Sequence, residues 1–317
     1  MQTYKEFITN KNLKSDLGRA LDVQKFAVHW ITLKAKQTSS NPHAESLEEE
    51  FVYVAKGEPH VWINGYIYQL AVGDAVGFKS GTGIAHCFIN NNAEDIELIV
   101  LGEKTKPENK CSFPVNPELY EEHQKIWWAD YPEQTFGPHD GLVGNLNHLK
   151  PKSECALIKS VYNEKRKTGF SYPGDTETFG EGLRLTDFVD LKILGVWHEI
   201  LKPGFRSSWP HSHLVEAEFA VILKGHPQVW LNGFIYDLNP GDGVYFKPGT
   251  NIAHTILNST NENVEYLSIG EADGADPDDK VFYPLHPQRN EECLKNGDGW
   301  KNPPTKEFGT HNGQAKK

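Results

Sequence analysis

The hydrophobic residues of the chain occur in short runs that turn-forming residues interrupt. Residues 51–57 (FVYVAKG), 60–65 (HVWING) and 66–70 (YIYQL) are rich in β-branched and aromatic side chains, which favour strands. The Asn-Gly pairs at 64–65 and 232–233 predict tight hairpins, because these residues tolerate the positive φ angles that such turns need. The length and spacing of the runs predict an all-β fold of many short strands, either a sandwich or a barrel.

The pattern of strands and turns occurs twice. Residues 48–90 align without a gap with residues 216–258, and 29 of the 61 positions from His43 to Glu103 are identical at an offset of 168 residues. This offset is longer than the repeat of a solenoid, so it predicts two whole domains.

The repeat also sets the expected domain boundaries. We place an N-terminal domain at residues 1–115, a helix and connecting segment at 116–180, a C-terminal domain at 181–290 and a polar tail at 291–317. Short helices are expected to begin at Pro117 and Pro287, because proline is favoured in the first turn of a helix and Glu-rich sequence follows both prolines.

Composition excludes several classes of protein. The formal net charge is −11 and the chain has no basic domain, so a nucleic-acid partner is not expected. It has no stretch of 18 apolar residues and no apolar N-terminal segment, which argues against a membrane span and a secretory signal. Its four cysteines form no CxxC pair, so we expect free thiols and a cytoplasmic protein.

Histidine and glutamate form the candidate site. In the second copy, His211 and His213 are two residues apart, so in a strand both point to the same face. Glu218 follows them, and His254 comes after a Pro-Gly turn. Three imidazoles and one carboxylate that converge inside a barrel suit a divalent ion such as Zn, Fe, Mn or Ni. The four residues are therefore predicted metal ligands.

The first copy keeps this order with one replacement. His43, Glu50 and His86 occupy the positions of His211, Glu218 and His254, whereas Glu45 stands at the position of His213. Two imidazoles and two carboxylates make a more anionic set. The sequence leaves open whether this site binds a metal or is degenerate.

These motifs resemble those of the cupin superfamily, in which two histidines, a glutamate and a glycine precede a Pro-x-Gly turn, a histidine and an asparagine. The second copy matches at His211, His213, Glu218, Gly225, Pro248, Gly249, His254 and Asn258, although its Pro-Gly-Thr turn departs slightly from Pro-x-Gly. The first copy matches at His43, Glu50, Gly57, Gly81, His86 and Asn90, with Glu45 for a histidine and Ser80 for the proline. The resemblance implies a bicupin of two jelly-roll barrels with a few short helices and a metal inside one end of a barrel.

Two classes of function remain open. One is a metal-dependent enzyme, a dioxygenase or decarboxylase acting on a small organic anion, because four protein ligands leave about two positions of an octahedral ion free. The other is a non-catalytic ligand-binding or storage-like bicupin. The sequence identifies no general base beyond the ligands. The duplication fits a monomer with an internal pseudo-two-fold axis as well as a homodimer.

Three further residue types recur at equivalent positions. The tryptophans are expected in the core or an interface. The lysines and glutamates are expected at the surface, and the alternatives are that the lysines steer an anion and that the glutamates face the pocket. These pairs are Trp62 and Trp230, Lys79 and Lys247, and Glu48 and Glu216.

Overall fold

Strands dominate the computed structural model, which describes residues 3–272 and 276–316. The strands are β1 (Ile8–Asn10), β2 (Phe26–Leu33), β3 (Ala44–Glu45), β4 (Glu50–Lys56), β5 (His60–Ile63), β6 (Tyr66–Gln69), β7 (Asp74–Phe78), β8 (His86–Ile89), β9 (Ile96–Glu103), β10 (Cys111–Ser112), β11 (Leu149–Lys150), β12 (Ile158–Ser160), β13 (Glu181–Arg184), β14 (Leu194–Leu201), β15 (Ser212–His213), β16 (Glu218–Lys224), β17 (Gln228–Leu231), β18 (Phe234–Asp237), β19 (Asp242–Phe246), β20 (His254–Leu257), β21 (Val264–Glu271) and β22 (Val281–Phe282). The all-β prediction is confirmed.

The helices are few and short, as the sequence predicts. The α-helices are α1 (Leu17–Ala20), α2 (Tyr120–His123) and α3 (Pro287–Asn296), and the 3₁₀ helices are Lys5–Phe7, Pro117–Leu119, Gln124–Ile126, Lys152–Glu154 and Thr186–Val189. Helical structure begins at Pro117 and Pro287, which confirms both predicted starts. None of the helices in the described residues has the length and apolarity that a bilayer crossing requires.

The chain divides into two compact units, each a barrel-like set of sheets. The unit here called the first barrel comprises Phe26–Glu164 and Leu185–Lys192. It contains a five-stranded sheet in the order β12-β7-β4-β9-β2, a four-stranded sheet in the order β11-β6-β5-β8 and the pair β10-β3. A cluster of apolar side chains forms its core, and Val52, Val54, Val61 and Leu98 in this cluster are fully buried.

The second barrel repeats this architecture. It comprises the segment ending at Lys25, Lys165–Arg184 and the chain from Ile193 onward. Its sheets are the six-stranded β1-β19-β16-β21-β14-β13, the three-stranded β18-β17-β20 and the pair β15-β22. Strand β16 shifts register on β21 between Ile222 and Lys224, as β4 does on β9 between Val54 and Lys56.

The grouping of residues differs from the predicted domain boundaries, which assigned residues 1–115 to the first domain. Strand β1 pairs antiparallel with β19, with Ile8 opposite Val244, so this segment belongs to the second barrel. In the first barrel, β12 fills the same edge, with Ile158 opposite Val76. Each barrel therefore covers an edge strand with a short extra strand, which satisfies backbone groups that an open edge leaves unpaired. The first and last residues of the predicted boundaries lie outside the described residues.

The predicted Asn-Gly hairpins are present, and each holds a loop against it. Asn232 and Gly233 both have positive φ, 44° and 85°. A Cβ atom at Gly233 would lie 2.4 Å from the carbonyl oxygen of Gly309, so glycine is needed for this close approach. Part of the predicted polar tail, residues 308–313 (FGTHNG), thus packs on the hairpin in the way that residues 136–141 (FGPHDG) pack on the hairpin of the first barrel.

Candidate metal centre

Three imidazoles surround one carboxylate oxygen in the second barrel. Oε2 of Glu218 lies 3.8 Å from Nε2 of His211, 3.7 Å from Nε2 of His213 and 2.9 Å from Nε2 of His254. This oxygen is buried and accepts no hydrogen bond of proper geometry from the described residues. Ligand atoms on bonds of about 2.1 Å to one ion are themselves about 3 Å apart, so the four side chains fit a metal ion.

The ends of three strands bring these side chains together. His213 lies on β15, and Glu218 and His254 begin β16 and β20. His211 and His254 form an isolated antiparallel bridge, with backbone hydrogen bonds of 3.3 and 2.9 Å. The ring of Phe246 stacks on His254 at 3.7 Å and 8° and fixes the plane of the imidazole.

Burial and the charges of neighbouring side chains shift the pKa values of the cluster residues, downward for His211 and upward for His213. Burial and the neighbouring His254 lower the pKa of His211 to about 3. Burial disfavours a charge on His213 as well, but the carboxylates of Glu218 and Asp279 raise its pKa to about 9. Burial also opposes ionisation of Glu218, yet the three imidazoles hold its pKa well below the ordinary range. The cluster therefore presents an ionised carboxylate to any cation that enters.

Asp279 orients His213, and the sequence did not reveal it. Its Oδ2 lies 2.6 Å from Nδ1 of His213, while its Oδ1 accepts hydrogen bonds from the backbone N–H groups of Val215 and Glu216. A carboxylate at Nδ1 holds the proton on that nitrogen and leaves the lone pair of Nε2 free for a metal. The signal was present in the repeat, since Lys280 aligns with Lys110 and so Asp279 aligns with Asn109.

Glu216 lies beside this pair rather than at the open surface. Its Oε2 is 3.7 Å from Nδ1 of His213, and its side chain is 33% exposed. Burial raises its pKa to about 7, although the charge on His213 opposes the shift. His213, Glu216 and Asp279 form a second group of close ligand atoms next to the first. Because His213 belongs to both groups, we interpret this second group as support for the imidazole.

The first barrel brings together a weaker version of the cluster. Nε2 of His86 lies 3.3 Å from Oε1 of Glu50, and the rings of His43 and His86 are 4.8 Å apart. These three residues place their ligand atoms within 4.8 Å of one another. Glu45 lies further out, with Oε1 at 3.9 Å from Nε2 of His43.

Asn109 holds Glu45 in the way that Asp279 holds His213. Its amide nitrogen donates a short hydrogen bond to Oε2 of Glu45, and its Oδ1 accepts from the backbone of Leu47 at 2.9 Å. A carboxylate needs a donor and an Nδ1–H group needs an acceptor. The two barrels therefore differ at a pair of contacting residues. Glu45 is paired with the amide of Asn109 in the first barrel, and His213 is paired with the carboxylate of Asp279 in the second.

The electrostatics of the first cluster resemble those of the second. Burial and the proximity of His86 lower the pKa of His43. Burial opposes ionisation of Glu50, but a hydrogen bond from His86 lowers its pKa. The ring of Phe78 stacks on His86 at 3.4 Å, as Phe246 stacks on His254.

The space beside the two clusters differs greatly. A cavity of about 470 Å³ adjoins His211, Glu218 and His254, whereas the cavity beside Glu45, Glu50 and His86 is about 10 Å³. The interior side chains explain this difference, because smaller or polar residues in the second barrel replace apolar ones in the first. The equivalent positions are Ala220 and Val52, Ile256 and Phe88, Ser268 and Val100, and Glu199 and Ile31.

The recurring tryptophans and lysines lie where the sequence predicted them. Trp62 and Trp230 are fully buried, as predicted for core residues. Lys79 pairs with Asp190 at 3.0 Å and Lys247 with Asp22 at 3.4 Å, and both lysines are 42% exposed. They lie at strand ends close to solvent, which agrees with the predicted surface position.

Comparison with known proteins agrees with this architecture. The model of the cupin domain family matches residues 29–102 and 197–270. A search of curated proteins gave no match. A variant of Bacillus subtilis oxalate decarboxylase is 15% identical, with a TM-score of 0.56 over 97% of this chain and 90% of that chain. The formate complex of Lactobacillus farciminis oxalate decarboxylase is 13% identical, with a TM-score of 0.56 over 96% of both chains. Because the cupin model matches once in each barrel, the protein belongs to the cupins and is a bicupin.

Proposed function

We propose that the second barrel binds a divalent metal ion through His211, His213, Glu218 and His254, and that the bicupin is a metal-dependent enzyme acting on a small organic anion. The observation that carries this proposal is the buried oxygen of Glu218, which three ring nitrogens surround within 4 Å. A carboxylate in that position without a cation leaves a buried charge poorly compensated. The first barrel offers a second, weaker metal site at His43, Glu45, Glu50 and His86.

The reaction class that fits best is decarboxylation or dioxygenation. When bound, a divalent ion supplies Lewis acidity to a ligand oxygen and, if it is redox-active, reactivity toward dioxygen. The oxalate decarboxylases share the fold at low identity, so they support the class of chemistry and leave the substrate open.

Several side chains of the second barrel would act on the bound anion. Lys167 lines the cavity, and its ammonium group lies 5.1 Å from the ring centre of Trp197. A cation there attracts an anionic ligand toward the cluster. Phe170 and Phe179 line the same cavity with apolar rings, and the ring of Phe179 is buried. An apolar wall strengthens the electrostatic interactions beside it.

The first barrel is proposed to have a supporting role. Its cavity of about 10 Å³ has room for little more than one water molecule beside the cluster. A substrate of several atoms would need the apolar interior to open. We therefore assign turnover to the second barrel and metal binding without turnover to the first.

Elemental analysis of protein purified without a chelating tag tests the metal site. We expect His211→Ala and His254→Ala each to lose the metal equivalent of the second barrel, because each removes one metal–nitrogen bond. Metal content equal to that of the parent in both variants would show that the assignment is wrong.

Oxygen uptake and carbon dioxide release with a panel of small carboxylic acids, oxalate included, test the reaction class. Turnover that disappears in His254→Ala supports the enzyme. Bound metal without turnover across the panel supports the alternative, a ligand-binding or storage-like bicupin.

Location and assembly are also proposed here. The four described cysteines are all unpaired, and free buried thiols are typical of a reducing compartment, which supports a cytoplasmic location. Gel filtration with light scattering distinguishes the monomer from the homodimer, both of which the duplication allows.

A further inference from the structure

The cavity of the second barrel contains a carboxylate that the metal cluster does not use. Glu199 lies on β14 and lines the same space as His211, Glu218 and His254. The described part of the chain gives its carboxylate no hydrogen bond, and Arg166 is the charged group that influences it. The carboxylate is therefore available to a molecule in the cavity.

The fold itself does not need an acid at this position. The equivalent residue in the first barrel is Ile31, which packs against the apolar interior. Both residues occupy the same place in the sheet, with Glu199 opposite Tyr266 and Ile31 opposite Leu98. Burying a carboxylate without a partner costs free energy. A costly acid in one barrel and an aliphatic residue in the other point to a functional role for Glu199.

The cavity walls indicate the kind of molecule that it takes. Its volume of about 470 Å³ lies in the range of small-molecule sites, roughly 300 to 1,000 Å³, and a two-carbon diacid would leave most of it empty. Aromatic rings and hydroxyl groups dominate the lining, with Phe170, Phe179, Trp197, Phe246, Ser207 and Tyr266 among them. Such walls favour a flat apolar ring that carries a few polar groups.

We propose that the second barrel takes a ring-bearing organic acid with a hydroxyl group, and that Glu199 accepts the proton of that hydroxyl. The inference rests on the proposed metal-dependent function and extends it. The O–H bond of the ligand breaks, the proton binds a carboxylate oxygen of Glu199, and the electron pair stays on the ligand oxygen. The resulting oxyanion is a better ligand for a divalent cation than the neutral hydroxyl.

The surroundings of Glu199 suit this exchange near neutral pH. Burial raises the pKa of Glu199 to about 7, and the charge on Arg166 opposes the shift. Burial also keeps the opposite phenol, Tyr266, neutral by raising its pKa. The remaining charged or titratable groups that line the cavity are Lys167, His211, Glu218 and His254. A proton acceptor works best when its pKa lies near the working pH.

Calorimetry with 3,4-dihydroxybenzoate as the probe tests the proposal on the full-length, metal-loaded protein. Titrations at pH 8 in phosphate and in Tris, buffers with different ionisation enthalpies, count the protons released per bound ligand. We expect Glu199→Gln to release about one more proton than the parent and to bind about tenfold more weakly, because the displaced proton has lost its acceptor. Benzoate, which lacks the hydroxyl groups, should bind both proteins alike.

Two further variants keep the test decisive. Glu199→Ile copies the first barrel and should behave like Glu199→Gln, and Glu262→Gln at an exposed position should behave like the parent. Equal proton release by the parent and Glu199→Gln overturns the inference. Failure of a metal-loaded parent to bind the probe overturns it as well. A parent that binds no metal contradicts the proposed function instead.

Discussion

Replacement of Asp279 by asparagine should weaken metal binding in the second barrel without disturbing the fold. Oδ1 of Asp279 accepts hydrogen bonds from the backbone of Val215 and Glu216 at 2.8 and 2.9 Å, and an asparagine oxygen can keep both. The substituted amide nitrogen would then face Nδ1 of His213, where Oδ2 lies at 2.6 Å in the parent. Only the chemistry presented to the imidazole changes.

The size of the effect follows from the tautomer of His213. An amide donor at Nδ1 favours the ring form in which Nε2 carries the proton, and a protonated nitrogen cannot bind a metal. Loss of such an outer partner typically weakens metal affinity roughly 10- to 100-fold, or about 1.4 to 2.7 kcal/mol. We expect an effect in this range.

The assay is a competition titration of metal-free protein with Zn²⁺ against a chromophoric chelator. A His86→Ala background removes a ligand of the first barrel, so that the second barrel dominates the signal. Asp278→Asn provides the matched control, because Asp278 is the exposed neighbour of Asp279. Thermal unfolding of each variant verifies that the barrel is intact.

Equal dissociation constants of Asp279→Asn and Asp278→Asn for Zn²⁺ would contradict the proposed role of Asp279. That result would mean that the short contact between Asp279 and His213 does not control the lone pair of Nε2. It would leave the ligand assignment itself untouched, since His254→Ala tests that assignment separately.

Three further predictions concern the same clusters. The double change Glu45→His with Asn109→Asp should increase Zn²⁺ affinity at the first barrel more than Glu45→His alone, because only the pair restores the proper acceptor at Nδ1; equal titration curves for both would argue against the matched pairs. In metal-free protein, the pKa of His213 is raised from 6.5 to about 9. Protonated His213 therefore adds up to about 3 kcal/mol to the free energy of unfolding; this contribution is complete below pH 6.5 and is lost as the pH rises through 9. Urea unfolding at fixed pH values measures this loss, and a profile that is flat from pH 6.5 to 9 contradicts it. Metal affinity should change in the opposite sense and increase over that range, since the ion displaces a proton from the imidazole; a pH-independent Zn²⁺ titration of the parent would be inconsistent with it.

Short-range features of the structure could be predicted from the sequence. Short apolar runs and Asn-Gly turns act over a few positions, so the hairpins at Asn64 and Asn232 follow from local chemistry. The helix starts at Pro117 and Pro287 follow from it as well. The duplication shows each of these features twice. Because the His and Glu residues recur at equivalent positions, their spacing could be recognised as a motif.

The residues that tune the clusters could not be predicted in the same way. Asp279 contacts His213 across 66 residues of sequence, and Asn109 occupies the same place in the other barrel. In the sequence, Glu199 cannot be distinguished from a solvent-facing polar residue of a strand; only the structure places it beside the cavity. Sequence spacing alone does not tell which face of a closed barrel lies next to which ligand.

Apolar runs, turn residues and the internal repeat are visible in the sequence, so the strands, the two repeated domains and the order of the candidate ligands could be predicted from it. The barrel form of the domains was implied only by the resemblance to the cupins. Only the folded chain shows that the segment before the first barrel pairs with β19 of the second, and that one interior is packed while the other holds a cavity of about 470 Å³. These outcomes depend on how the volumes of side chains from distant strands add up in a shared interior. Ala220, Ile256 and Ser268 are smaller than Val52, Phe88 and Val100 of the first barrel, and such differences in side-chain volume separate a binding cavity from a packed core.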